Sequence, residues 1–217
     1  MKLDRNSCGA VALVWLLAAV AVAAALLFVR PLWLAVCIVV LAVAIAAWQT
    51  YFHVVPSRTP AGSASLVTSV ADGRVVEIRK VIEREYLCRE CIMVSVYMDF
   101  WDMHANFWPV SGEVCYAMYH PGRHFLAFKP KASEENEHAC TCIRTPEGQE
   151  VFFKQLAGGF ARRIVCYAEE GLKVRSGEQC GIIKFGSRVD IYLPPEAEIL
   201  VSVGDNVRAC ESVMARI

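Results

Sequence analysis

A glycine followed by a serine has the most direct route to covalent chemistry in this chain. Gly186-Ser187 lies within Gly181-Ile182-Ile183-Lys184-Phe185-Gly186-Ser187-Arg188-Val189-Asp190, which reads as two apolar strands meeting where glycine frees the backbone of a Cβ. A serine Oγ held against the preceding carbonyl can attack it, and the resulting N-to-O acyl shift turns the amide into an ester. β-Elimination would then cut the chain after Gly186 and leave dehydroalanine at position 187. Hydrolysis of that enamine would release ammonia and leave a pyruvoyl ketone. Most Gly-Ser pairs are ordinary turns, so this chemistry depends on its context. The thiols offer a rival: Cys88-Arg89-Glu90-Cys91 and Cys140-Thr141-Cys142 could bring four thiolates to zinc. The spacing of the second pair and the lack of a knuckle glycine beside either argue against it, and no bound metal is expected.

These residues sit in a chain of 217, of which 56% are hydrophobic, too apolar for an ordinary soluble domain. With 22 basic and 22 acidic residues the formal net charge is zero, which removes the electrostatic case for a nucleic-acid partner. The 10 cysteines are scattered and read as mostly reduced thiols facing the cytoplasm rather than a disulfide framework. Uncharged stretches at 9–29 and 32–48, broken only by Arg30-Pro31, predict two membrane helices in a tight hairpin over 1–55. Both a spanning hairpin and a shallow re-entrant one fit. Lys2 and Arg5 before it, with Arg58, Arg74, Arg79 and Lys80 after it, place both ends in the cytoplasm by the positive-inside rule. A Pro/Gly/Ser-rich linker follows at 56–65.

Beyond the linker, short β-type runs are predicted at 66–70, 74–78, 91–98, 112–117, 138–144, 150–156, 164–168, 179–185 and 189–193. Helical periodicity is weak apart from 157–163. The fold class is thus a transmembrane helical hairpin plus a mainly β domain over 66–217. Val70-Ala71-Asp72-Gly73-Arg74-Val75-Val76 and Val203-Gly204-Asp205-Asn206-Val207-Arg208-Ala209 look like the matched turns of a barrel-sandwich hybrid, which implies that the two ends of the domain pair in one β core.

Seven motifs occur in a familiar order: Ser69 to Val76, His104-Ala105-Asn106, Pro109 to Gly112, Glu134-Glu135-Asn136-Glu137, Gln155 to Gly158, Ala161 to Val165, and Phe185 to Asp190. Together they resemble the short bacterial form of phosphatidylserine decarboxylase. The resemblance implies self-cleavage between Gly186 and Ser187, giving a heterodimer of a β chain (1–186) and an α chain (187–217). The cofactor it implies is pyruvate, a covalent pyruvoyl group derived from Ser187. Such a group condenses with the amine of phosphatidylserine as a Schiff base and accepts the electron pair left by carbon dioxide, yielding phosphatidylethanolamine at the cell membrane. A non-enzymatic, membrane-anchored barrel-sandwich adaptor is the alternative.

The same resemblance places Asp72 and His104 with Ser187 in a triad that drives cleavage, the carboxylate orienting the imidazole as general base. By turn chemistry alone, Asp72 in Ala-Asp-Gly would bond its own backbone. His104 is the best histidine candidate; His53 borders the linker, and His120, His124 and His138 fall near expected loops. Two departures from the family pattern stand out: Phe107 where short members carry arginine, and His138 in place of the arginine that usually ends the acidic-Asn-Glu-Arg motif. Arg162, Arg163 and Arg188 could bind the lipid phosphate or the substrate carboxylate through guanidinium forks, or could form surface salt bridges. Phe100, Trp101, Phe107 and Trp108 suggest either core packing or a mouth dipping into the bilayer.

Overall fold

Two uncharged helices open the computed structural model, which describes residues 2–62, 65–123, 125, 136–158, 163–184 and 187–217. α1 (Cys8–Phe28) and α2 (Leu32–Phe52) have 21 residues each, about 31 Å at 1.5 Å per residue, long enough to cross a hydrocarbon core. Most of their large side chains point outward, Leu26, Leu27 and Phe28 among them. A helix apolar on every side fits a lipid surround rather than water. Val11, Ala18 and Ala25 recur every seventh position on the buried side of α1, and Ala35 and Ala46 are buried on α2, the small residues that let paired helix backbones approach. Trp15 Nε1 donates to Thr50 Oγ1 across the pair at 2.9 Å. β1 (Lys2–Leu3) pairs antiparallel with β2 (Val54–Val55) just outside the helices, so the chain enters and leaves the hairpin at one end, as expected from the sequence.

The chain divides into two units, Met1–Ser57 and Arg58–Ile217. In the second unit every regular element among the described residues is a strand: β3 (Leu66–Thr68), β4 (Gly73–Glu83), β5 (Arg89–Met98), β6 (Ala105–Phe107), β7 (Gly112–His120), β8 (His138–Arg144), β9 (Glu150–Leu156), β10 (Arg163–Cys166), β11 (Lys173–Val174), β12 (Gln179–Lys184), β13 (Ser187–Leu193), β14 (Glu198–Ile199), β15 (Asn206–Val207) and β16 (Val213–Arg216). Eight of these form an antiparallel sheet in the order β11-β7-β8-β9-β13-β5-β4-β15. Two three-stranded sheets, β10-β12-β6 and β14-β16-β3, complete the unit. β3 pairs with β16 and β4 with β15, so the ends of the domain do join in one core, as the matched turns implied.

β13 lies between β9 and β5 and is buried along its whole length. Its alternation separates two environments. Val189, Ile191 and Leu193 join Val94, Val96 and Met98 of β5 and Val151 and Phe153 of β9 in the main core. Tyr192 packs instead with Cys91, Met93, Cys140, Cys142 and Phe152. The strand period of two therefore turns Ser187 and Gln155 toward the main core, and Arg188, Asp190 and Lys154 toward the opposite face.

The structure extends several predicted strands. β4 runs past the predicted 74–78 to Glu83 because Lys80, Val81, Ile82 and Glu83 keep pairing with β5. β6, at three residues, is too short to show a period and was not predicted; neither were β11 and β14 to β16. The expected helix at 157–163 lies largely outside the described residues, and Arg163 at its end begins a strand.

Candidate active site

Ser187 is the first residue of β13, fully buried, with Oγ 3.8 Å from Met98 Sδ. Met98 is its register partner at the end of β5. The same sulfur lies 3.8 Å from Asn106 Nδ2, and Asn106 Oδ1 accepts from Gln155 Nε2 at 2.7 Å. Gln155 Oε1 is buried and has no hydrogen-bond partner among the described residues. A Cβ on Gly181 would run into the Val165 carbonyl and the Gln155 amide nitrogen, so glycine is what lets β12 lie against this network. Ser187 thus faces soft sulfur contacts and a short amide chain with one unused acceptor. The preceding residue, Gly186, and therefore the geometry of the 186–187 peptide bond, lies outside the described residues.

His104 sits immediately before β6 and is fully buried. Its carbonyl accepts from Ile183 N at 3.3 Å, which fixes it beside the part of β12 that leads into Ser187. His104 Nδ1 is 2.8 Å from the Asp102 carbonyl oxygen. A carbonyl only accepts, so Nδ1 carries a proton and, in the neutral ring, Nε2 holds the lone pair. Burial raises the Asp102 carboxyl above its ordinary range; the hydrogen bond from Asp99 N–H opposes the shift, and the charges of Asp99 and Asp72 add to it.

Asp72 lies at the start of β4. Arg74, Tyr97 and Arg188 occupy one row across β4, β5 and β13, so Asp72 and Ser187 flank the same end of β5. The Asp72 carboxylate is gripped by Arg58, whose Nη1 meets Oδ1 and whose Nη2 donates to Oδ2 at 2.7 Å. It also accepts from Ala209 N at 2.8 Å. The backbone bond that Asp72 makes is thus to a residue 137 positions away rather than within its own turn. His104 takes its orientation from the Asp102 carbonyl, a partner the sequence argument had not considered.

The family model described as phosphatidylserine decarboxylase matches residues 45–215. The chain belongs to the phosphatidylserine decarboxylase family. Its relatives include the phosphatidylserine decarboxylase proenzyme of Amoebophilus asiaticus, 42% identical over 78% of this chain and 76% of the relative. That of Syntrophus aciditrophicus is 40% identical over 87% of this chain and 86% of the relative. The Bacteroides fragilis proenzyme is 46% identical over 70% and 67%.

Of the three arginines expected to bind substrate, this decarboxylase-family chain places two within its described residues; Arg162 lies outside them. Arg163 is exposed at the start of β10, opposite Lys184 of β12. Arg188 is buried, its Nε 2.5 Å from Asp190 Oδ1 and its Nη2 3.4 Å from Glu77 Oε2. It therefore ties β13 to β4 inside the protein, on the face away from Ser187. Asn106, Gln155, Met98 and Arg58 join the site without being singled out in the sequence. Asn106 and Gln155 lie within its motifs, but only the structure brings them together.

The four thiols considered as a zinc set do not come together. Cys88 Sγ rests on the Arg84 carbonyl, Cys91 Sγ on the Arg89 carbonyl, and Cys140 Sγ on Glu85. Cys142 lies by Cys115 and Glu150. All ten cysteines are free. His120 and His138, expected near loops, instead end β7 and begin β8 and pair with each other in register.

Proposed function

We propose that the chain decarboxylates phosphatidylserine to phosphatidylethanolamine, using a pyruvoyl group that it makes from Ser187 by cutting itself after Gly186. Membership of the family and the proenzyme names of its relatives support the reaction and the processing. The observation that carries the residue assignment is the placement of Ser187, a buried hydroxyl at the head of the central strand with a proton-carrying imidazole in the neighbouring strand turn.

In this reading Ser187 Oγ attacks the Gly186 carbonyl carbon while His104 Nε2 takes the hydroxyl proton. The ester that forms then eliminates: the Ser187 α-proton leaves, the C–O bond breaks, and Gly186 departs as a carboxylate. Water hydrolyses the remaining enamine and ammonia is lost. Asp72 is a positioning residue, because its bonds to Arg58 and Ala209 N anchor the start of β4 beside the end of β5 that carries Met98.

The pocket fits the resulting group. Asn106 Nδ2 and the unpartnered Gln155 Oε1 supply a donor and an acceptor near a small carbonyl, with no fixed charge required. Once formed, the group supplies a ketone that condenses with an amine and draws off the electron pair left by carbon dioxide. His104 then holds a proton for return to the substrate carbon. Arg163, exposed opposite Lys184 at the end of β12, binds the lipid phosphate.

Two apolar helices keep this site at the surface to which a double-chain lipid is confined, with the catalytic unit in the cytoplasm. The test is mass spectrometry of the purified chain. Wild type should give fragments 1–186 and 187–217, the smaller lighter by one ammonia than a serine-terminated peptide. Ser187→Ala should give one intact, inactive chain. An intact wild-type chain that decarboxylates, or an active Ser187→Ala, would refute the assignment.

A further inference from the structure

On the face of the eight-stranded sheet opposite Ser187, four potential ligands converge: Glu85, His120, His138 and Cys140, their ligating atoms all within 4.8 Å of one another. They come from the turn after β4, the end of β7 and the first residues of β8. Glu85 Oε1 is the common point, 3.0 Å from Cys140 Sγ, 3.4 Å from His138 Nε2 and 2.5 Å from His120 Nε2. Tetrahedral zinc with N, O and S ligands at its usual bond lengths separates neighbouring ligand atoms by about 3.3–3.8 Å. The three distances to Glu85 Oε1 are thus within about one ångström of those in a coordination shell, and the remaining pairs lie within 4.8 Å.

The surroundings suit a metal. His138 Nδ1 is 2.6 Å from the Asn136 carbonyl oxygen, which puts the proton on Nδ1 and leaves Nε2 as a lone-pair donor, the usual outer-shell arrangement for a ligating histidine. His120 Nε2 is buried without a hydrogen-bond partner; its approach to Glu85 is off line for an N–H bond. Glu83 accepts the backbone N–H groups of Glu85, Tyr86 and Leu87 at 2.8–2.9 Å and so fixes the turn that carries Glu85. Lys154 holds the other Glu85 oxygen and lies 3.7 Å from Glu83. With zinc bound to one carboxylate and one thiolate, the Lys154 and Glu83 charges cancel and the whole site is neutral. A groove of about 700 Å³ lined by Glu83, Glu85, His120, His138, Lys154 and Tyr192 gives a path in.

We propose that Glu85, His120, His138 and Cys140 bind one zinc ion, which displaces the Cys140 thiol proton to solvent and clamps the β4–β5 turn onto β7 and β8. Four protein ligands leave no open position, which marks a structural rather than a catalytic metal.

The test uses full-length, untagged protein in detergent, stripped with chelator and then titrated with Zn²⁺ against a chromophoric competitor, and separately with Co²⁺. One equivalent of zinc per chain is expected, with the intense visible bands of tetrahedral cobalt and a near-ultraviolet thiolate charge-transfer band. Cys140→Ser should abolish the charge-transfer band. His120→Gln, on the most exposed ligand, should weaken zinc binding by at least the 10–100-fold typical of lesser perturbations. Cys115→Ser, in the neighbouring cluster, should change neither. Zinc should raise the unfolding temperature of wild type but not of His120→Gln, each compared with its own chelated form. No bound equivalent, a charge-transfer band that survives in Cys140→Ser, or an equal zinc-induced shift in wild type and His120→Gln would overturn the proposal.

Discussion

Arg58→Ala tests how the catalytic unit is held at its beginning. In the wild type the Arg58 guanidinium makes two bonds to Asp72 and a third, at 3.1 Å, to the Ala209 carbonyl. The two side chains of the pair are only 11% and 12% exposed. The hydrogen bond that Arg58 donates to Asp72 raises the Arg58 pKa above its ordinary value, against the opposing effect of burial. Removing Arg58 leaves the Asp72 carboxylate in a confined site with one remaining bond, from Ala209 N. Breaking a buried pair from one side costs about 3–5 kcal/mol; the slight exposure here argues for the lower end, about 3 kcal/mol, or roughly a 150-fold loss in the folding constant. Asp72→Asn should cost less, about 1–2 kcal/mol, because an amide oxygen can still accept from Ala209 and Arg58 retains Glu211 at 4.0 Å. The double variant should be more stable than the sum of the two losses implies, with a coupling of at least about 1 kcal/mol. Urea unfolding in detergent, followed by near-ultraviolet circular dichroism, measures all four. A loss below about 1 kcal/mol for Arg58→Ala together with zero coupling would show that water screens the pair as it does at a surface, and the anchoring role given to Asp72 would fall with it.

Asp102→Asn should stabilise the protein at neutral pH. Since the folded-state carboxyl titrates above its unfolded value, ionisation removes stability as pH rises from the ordinary carboxylate range through the raised one. The variant and wild type should therefore have equal urea midpoints below about pH 3.5 and diverge above it; a constant offset would contradict this. Gly181→Ala drives a methyl group into the Val165 carbonyl and the Gln155 amide, which should cost about 1–3 kcal/mol and slow the appearance of two fragments on a denaturing gel. Processing at the wild-type rate would show that the Gln155–Asn106 link is not needed. Finally, the two fragments of processed wild type should co-elute in native size exclusion and separate only in denaturant; early release of the small fragment would contradict the pairing of β13.

The order of the motifs made the family legible, and alternating runs made nearly all of the long strands legible, because each buries one face and shows a period of two. What the sequence hid was long-range geometry. Ala-Asp-Gly at 71–73 looks like a turn that bonds itself, and nothing local reveals that Arg58 and Ala209 close on Asp72 from either end of the domain. Arg188 follows Ser187 and so reads as a substrate ligand, yet a one-residue step along a strand reverses the side chain, which puts it with Asp190 on the far face. His120 and His138 are 18 positions apart with Pro121-Gly122 between them, which suggested loops; their rings stack at 4.9 Å only because β7 and β8 pair in register.

The same parity would let the proposed self-cleavage leave the sheet whole. The proposed scissile bond lies at the mouth of the central strand, so cutting it removes a connection between β12 and β13 but none of the pairing of β13. Seven register pairs to β5 and five to β9 remain, and the residues that follow contribute β15 to β4 and β16 to β3. In the proposed reaction the freed end would be a terminus inside the core, against Met98, from which Asn106 and then Gln155 follow. A cut one strand earlier would free an end between β11 and β12, beside the exposed Arg175 and Glu178, and a cut one strand later would leave Ser187 an internal residue. A reactive ketone shielded from water and still fixed in a sheet requires a serine that begins a strand buried on both sides, and Ser187 of β13 meets that requirement of the proposed reaction.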